Sequence, residues 1–151
     1  MKVVLHAAQF SKPFGIVCSI VTGSGYSHAS IIDNKGEHYD TTLTRGHFGK
    51  AKPLSSEPER EMIIIDIPER DPQEFIQSTL GKKYDTLGLI FWMFKKQNPK
   101  KYYCFESVNE CLKSVDINLE LGKNISAKTI LDALLKKGYK AQITKGKHYH
   151  D

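Results

Sequence analysis

Apolar and polar side chains alternate with period two over residues 26–33 (YSHASIID) and again over 37–42 (EHYDTT), with Asn34-Lys35-Gly36 between them. That pattern predicts two half-buried strands joined by a tight hairpin turn. Residues 61–67 (EMIIIDI) form an unbroken apolar run, which predicts an interior strand covered on both faces. Shorter strands are expected at 3–5, within the Gly- and Pro-containing loop 44–59, and at 139–144 on a sheet edge. Helical spacing of apolar residues recurs over 14–21, 72–80, 86–95, 104–115 and 127–137. Asp71-Pro72 with Glu74 gives the second of these a capping-box start, and Ser126 caps the last, which stops at Gly138. No repeat or linker interrupts the pattern. One domain over residues 1–144 is expected, of α+β class, followed by a frayed basic tail over 145–151.

Composition changes this picture little. Hydrophobic residues make up 40% and charged residues 26% of the 151, as in ordinary soluble globular proteins, and the chain is long enough to bury a sizeable core. Lys and Arg (22) exceed Asp and Glu (17) by five, much of it in Lys95, Lys96, Lys100, Lys101 and the stretch from Lys136 on. A solvated basic face is the default reading of that excess, and an anionic partner (nucleic acid, acidic lipid or a cell-wall polymer) is the alternative. The chain has no basic motif interleaved with aromatics, so nucleic acid is not an expected partner. No apolar stretch approaches the roughly 20 residues of a membrane span, and residues 1–6 carry no signal-peptide pattern, so a cytoplasmic location is expected.

Cysteine usage carries more. Cys18, Cys104 and Cys111 are odd in number and lack CxxC spacing, which argues against a disulfide framework or a structural zinc site. His148 and His150 on the tail do not add up to a metal site, and no metal or cofactor is expected. Cys104, Val108, Cys111, Leu112 and Val115 fall at helical spacing directly after the extended-favouring Tyr102-Tyr103, so Cys104 reads as the first residue of a helix. A negative charge is stabilised there by free N–H groups and the helix dipole, and the thiolate is the nucleophilic form of cysteine. A small buried hydrophobe is the plainer reading of the same position. Alternation also places His28 with Ser30 on one face, and His38, Asp40 and Thr42 together on the neighbouring strand. Such facing polar residues are either a paired site or a solvent-exposed surface.

Three stretches in this order resemble circularly permuted papain-like proteins, the branch that joins NlpC-type peptidases, YiiX-like hydrolases and lecithin–retinol acyltransferase-like enzymes. They are residues 22–32 (TGSGYSHASII), 81–85 (GKKYD) and 102–108 (YYCFESV), and the resemblance spans about residues 13–116. It implies a permuted papain-like (NlpC-type) fold, a small antiparallel sheet packed against helices with the nucleophilic cysteine at a helix N-terminus. Carried over by position, Cys104 becomes the nucleophile, His28 the general base, and Asp40 the residue that orients the imidazole, with His38 as the fallback third member. Oxyanion or substrate-positioning groups would be the Cys104 N–H, Tyr84 and Tyr103. Glu106 fills the acidic position after the cysteine and is expected to fix the helix start. Phe105 stands where the family has serine, and Ala29-Ser30 where it has Val-Gly, which bears on the substrate rather than on the triad.

The function so implied is a cysteine hydrolase that cleaves an amide (peptide- or peptidoglycan-like) or (thio)ester bond through a thioacyl-enzyme with a Cys-His-Asp triad. The substrate would be a small molecule or peptide-like, and the setting bacterial or phage. Two alternatives stand beside it: a lipid acyltransferase of the same fold, and a catalytically silent binding or inhibitory module for a protein or nucleic acid. Cys18 and Cys111, set in apolar helices, are expected to alkylate slowly and so to serve as controls for Cys104.

Overall fold

A computed structural model describes residues 1–9, 25–68, 70–83, 103–122 and 125–149. The expected helices over 14–21 and 86–95, together with Cys18, Tyr84, Tyr102 and His150, lie outside the described residues. Within them the chain is an α+β unit built on a six-stranded antiparallel sheet. The strands are β1 (Lys2–Ala7), β2 (Tyr26–Ile32), β3 (His38–Thr41), β4 (Phe48–Lys50), β5 (Glu61–Asp66) and β6 (Ala141–Lys145), in the order β4-β3-β2-β1-β5-β6.

The β2–β3 hairpin forms where the alternation predicts it. The Asp33 carboxylate accepts the N–H groups of Lys35 and Glu37, and Gly36 adopts φ +83°, a conformation that glycine enters without a Cβ penalty. The turn fixes the register, so Ser30 faces Asp40 and Ile32 faces His38. β5 is an interior strand as its apolar run requires, paired with β1 on one side and β6 on the other. β1 is longer than the three apolar residues suggested. It lies between β2, which pairs with it from Lys2 to Ala7, and β5, which pairs with it from Lys2 to His6.

Three helices are described: α1 (Gln73–Thr79), α2 (Cys104–Ser114) and α3 (Ala127–Lys136). α1 begins one residue later than its capping sequence suggests, with Pro72 at the cap, and the Asp71 carboxylate still accepts the Gln73 N–H. In α3, Ser126 accepts the Thr129 N–H while the Thr129 hydroxyl accepts the Ser126 N–H, which closes a reciprocal cap. The main core joins alternate residues of the sheet (Val3, Leu5, Ala29, Ile31, Ile63, Ile65) to Val108, Cys111, Leu112, Ile130 and Leu134 of the helices. Each buried Val, Leu or Ile among them contributes roughly 1.5–3 kcal/mol, so the seat of α2 against β2 and β3 is firm. A smaller cluster joins Val4, Ile32 and Met62, of the other parity of the same strands, to Leu54 of a 3-10 turn.

The C-terminal stretch does not fray up to residue 149. Lys145 ends β6 opposite Glu61, and Gly146–His148 form a 3-10 turn whose Gly146 and Lys147 N–H groups bond the carbonyls of Arg60 and Pro58. Tyr149 packs on the smaller cluster and accepts a hydrogen bond from Lys2 Nζ at 3.2 Å. These backbone bonds and the Tyr149 ring dock the basic residues that composition alone had suggested were free.

Candidate active site

Three elements converge on the site. β2 supplies His28, β3 supplies Asp40, and the first residue of α2 is Cys104. The β1–β2 register slips immediately beyond His28: His6 faces His28, but Ala7 faces Tyr26, which leaves Ser27 as an extra residue. Such a bulge re-aims the side chains beside it and is common next to functional sites.

His28 Nε2 lies 2.8 Å from Asp40 Oδ2. Cys104 lies near enough to the same ring to act on its charge. Burial alone would pull the His28 pKa down. The bond to Asp40 and the neighbouring Cys104 outweigh it and raise the value to about 9. Asp40 mirrors this. Its burial would raise the carboxyl pKa, but the bonds to His28 and Arg45 bring it down to about 2. At neutral pH the pair is therefore carboxylate and imidazolium. The Asp40 side chain is 9% exposed and that of His28 17%, so the imidazole keeps a route to solvent or substrate.

Arg45 is the residue that sequence reading missed. Its guanidinium bonds Asp40 Oδ1 and the Asp40 carbonyl, and also the carbonyls of His47 (3.3 Å) and Lys50 (3.0 Å). One side chain thus ties the β3–β4 loop together and occupies the carboxylate oxygen that His28 does not use. An Arg five residues past a candidate triad acid, next to Gly46, was the only signal available. No periodicity marks a loop contact.

The other expected residues sort by their partners. Glu106 accepts the Tyr103 N–H at 3.2 Å and so fixes the start of α2, as expected. The Tyr103 ring is 1% exposed and its hydroxyl donates to the Ile125 carbonyl at 3.0 Å, so it anchors α2 to the segment before α3 instead of facing a substrate. His38 Nδ1 is 2.5 Å from the Lys52 carbonyl, and its ring stacks on His6. Asp40, not His38, holds the place beside His28. Cys111 is buried two turns into α2, where burial pushes its pKa up to about 12.

His6 went unremarked in the sequence, although it is a polar residue closing an apolar strand. It is 3% exposed, its Nε2 lies 2.7 Å from Ser30 Oγ, and its ring lies against that of His28. A groove of about 580 Å³ opens at the end of β1 and the start of β5, lined by Ala7, Gln9, Glu57, Arg60 and Glu61 among others. None of Cys104, His28 and Asp40 lines it, so it is not a natural seat for the reacting bond. No helix among the described residues is long and apolar enough to cross a membrane.

Searches of protein families, of curated proteins and of solved structures find no match to the chain. The functional reading therefore stands on the sequence and on this geometry.

Proposed function

We propose that the protein is a cysteine hydrolase of permuted papain-like fold that cleaves an amide or (thio)ester bond through a thioacyl-enzyme. The observation that carries this reading is His28, bonded through Nε2 to Asp40 and with Cys104 beside the same ring. A histidine so placed serves a nucleophile as proton acceptor and donor, and the acid behind it fixes its orientation.

The steps follow from the groups. With His28 already the imidazolium, the reacting form of the site is the one in which Cys104 has given up its proton, and that thiolate attacks the carbonyl carbon of the substrate. The C–S bond forms as the carbonyl π electrons move onto oxygen. The Cys104 N–H at the first helical position lacks an intrahelical acceptor and is a fitting donor to that oxyanion. When the tetrahedral adduct collapses, the bond to the leaving amine, alkoxide or thiolate breaks and His28 gives its proton to that group. Neutral His28 then takes a proton from water, whose hydroxide attacks the thioester and frees the acid and Cys104. Asp40 stays ionised throughout and stabilises the imidazolium.

A peptide-like or small amide substrate is the first choice. The free thiols of Cys104 and Cys111 suit a reducing compartment. The test is iodoacetamide alkylation read site by site by mass spectrometry across pH, on wild type and His28→Ala. Cys104 should label at least about tenfold faster than Cys111 at neutral pH and slow markedly in the variant. Equal labelling of the two thiols, unchanged by His28→Ala, would overturn the proposal.

A further inference from the structure

His6 is a buried residue that the proposed chemistry does not use. Register places it directly opposite His28 on the neighbouring strand, and the two ring centroids are 5.2 Å apart with planes tilted by 41°. The His38 ring stacks on it at 5.8 Å and 24°. Its Nε2 meets Ser30 Oγ at 2.7 Å, and its Nδ1 is buried with no hydrogen-bond partner among the described residues. A bare lone pair is cheaper to bury than an N–H without an acceptor, so the proton belongs on Nε2, donated to Ser30.

The His28 ring has an unsolved degree of freedom. The bond from Nε2 to Asp40 fixes one point of the imidazole, and the ring can still tilt about it. A neighbouring ring packed beside it, even at an angle, limits that tilt. We propose that His6 is a positioning residue for His28: its ring, lying against both the His28 and His38 rings, sets the angle at which the His28 imidazole meets Asp40 and Cys104. This inference rests on the reading of Cys104, His28 and Asp40 as the reacting site.

The neutral state of His6 fits the role. Burial first, then the nearby charges of His28, Arg60 and His38, hold its pKa well below the usual histidine value. A second cation against the His28 imidazolium would repel it. Ser30 explains why the ring is histidine and not an apolar one, since its hydroxyl is 1% exposed and needs a partner.

Two variants of the full chain separate ring from hydrogen bond, with iodoacetamide as the probe and Cys104 alkylation from pH 5 to 10 as the readout. His6→Phe keeps a flat ring and gives up the Ser30 bond, whereas His6→Gln keeps a hydrogen-bonding group and gives up the ring. His6→Phe should alkylate within about threefold of wild type with an unmoved pH profile, while His6→Gln should be about tenfold or more slower with a shifted profile, because a slightly misplaced reacting group can cost up to about 10²-fold. A His6→Gln profile that superimposes on wild type overturns the inference. So does a folded His6→Phe as slow as His6→Gln. Cys111, which stays unlabelled in the folded chain, reports whether each variant is native, and if His6→Gln fails to fold, His6→Phe alone decides. His28→Ala run alongside keeps the two readings apart. If it alkylates Cys104 at the wild-type rate, the site itself is refuted. If it is slow while His6→Gln is fast, only the role of His6 falls.

Discussion

The two described thiols sit on the same helix, two turns apart, and differ in nearly everything except residue type. Cys104 opens α2 beside a histidine that is itself held by a carboxylate. Cys111 lies among Leu112, Val108 and the apolar strands, where nothing but the distant N-terminal charge offsets the cost of ionising it. Helix position and neighbours decide what a cysteine does. The first thiol lies beside a histidine and a carboxylate, the groups that the proposed chemistry uses to move a proton; the second lies in the apolar core.

The strongest way to break that comparison is to exchange the fates of the two thiols. Cys104→Ala should abolish turnover of any amide or thioester substrate the protein accepts, a loss on the order of 10⁴-fold or more, as for other nucleophile deletions. Cys111→Ala should leave kcat/KM within about twofold and cost stability instead, about 1–2 kcal/mol for the small cavity. Denaturant unfolding beside steady-state kinetics reads both. A Cys104→Ala protein that keeps its activity would move the chemistry elsewhere.

A pH titration sharpens the contrast with a smaller effect. His28 must be protonated to hand a proton to the leaving group, and its pKa of about 9 sets the alkaline limb. Activity should fall as pH rises through about 9. Asp40→Asn removes the main support of the imidazolium, so the limb should move down toward the ordinary histidine value of about 6.5, with the rate at pH 7 reduced by roughly 10²–10⁴-fold. Stability follows the same sign. The His28 contribution is complete below about pH 6.5 and is lost as pH rises through about 9. An alkaline limb that stays put in Asp40→Asn would separate Asp40 from the histidine.

What could be read from the chain follows from how local each relation is. That His28 neighbours the face of His38, Asp40 and Thr42 was legible because alternation and a tight turn together determine which side chains meet across a hairpin, and the resemblance singled Asp40 out of that face. Cys104 was legible because Tyr103 and the spacing after it mark a helix start. His6 was not, because nothing local says that β1 lies between β2 and β5, and only that order puts His6 against His28. The docked end of the chain hid for the same reason. Gly146 sits so close to another segment that a Cβ there would come within 2.2 Å of the Glu57 carbonyl oxygen, a contact between residues 89 positions apart. Tyr103 misled in the opposite sense, since adjacency to the cysteine in sequence said nothing of the Ile125 carbonyl that takes its hydroxyl.

Arg45 offers the mildest test, because it acts on the site through Asp40 alone. With Arg45→Gln the His28 bond to Asp40 Oδ2 stays, while Oδ1 and the carbonyls of His47 and Lys50 lose their charged donor. Losing a hydrogen bond to a charged group costs roughly 1–3 kcal/mol, part of it from the loosened β3–β4 loop. The acid side of the stability profile gives the sign. Asp40, whose pKa is about 2, adds stability that is present above the unfolded carboxyl value near 3.8 and is lost as pH falls through about 2. Removing Arg45 raises the folded value, so part of that contribution disappears and acid unfolding begins at a higher pH. At pH 7 the carboxylate is ionised in both proteins, so kcat/KM should drop only a few-fold, about 2–5, from a less firmly held Asp40. Chemical denaturation at pH 3 and pH 7 on both proteins measures the difference. If Arg45→Gln loses the same stability at both pH values, the guanidinium is a loop tie and not a support for the Asp40 charge.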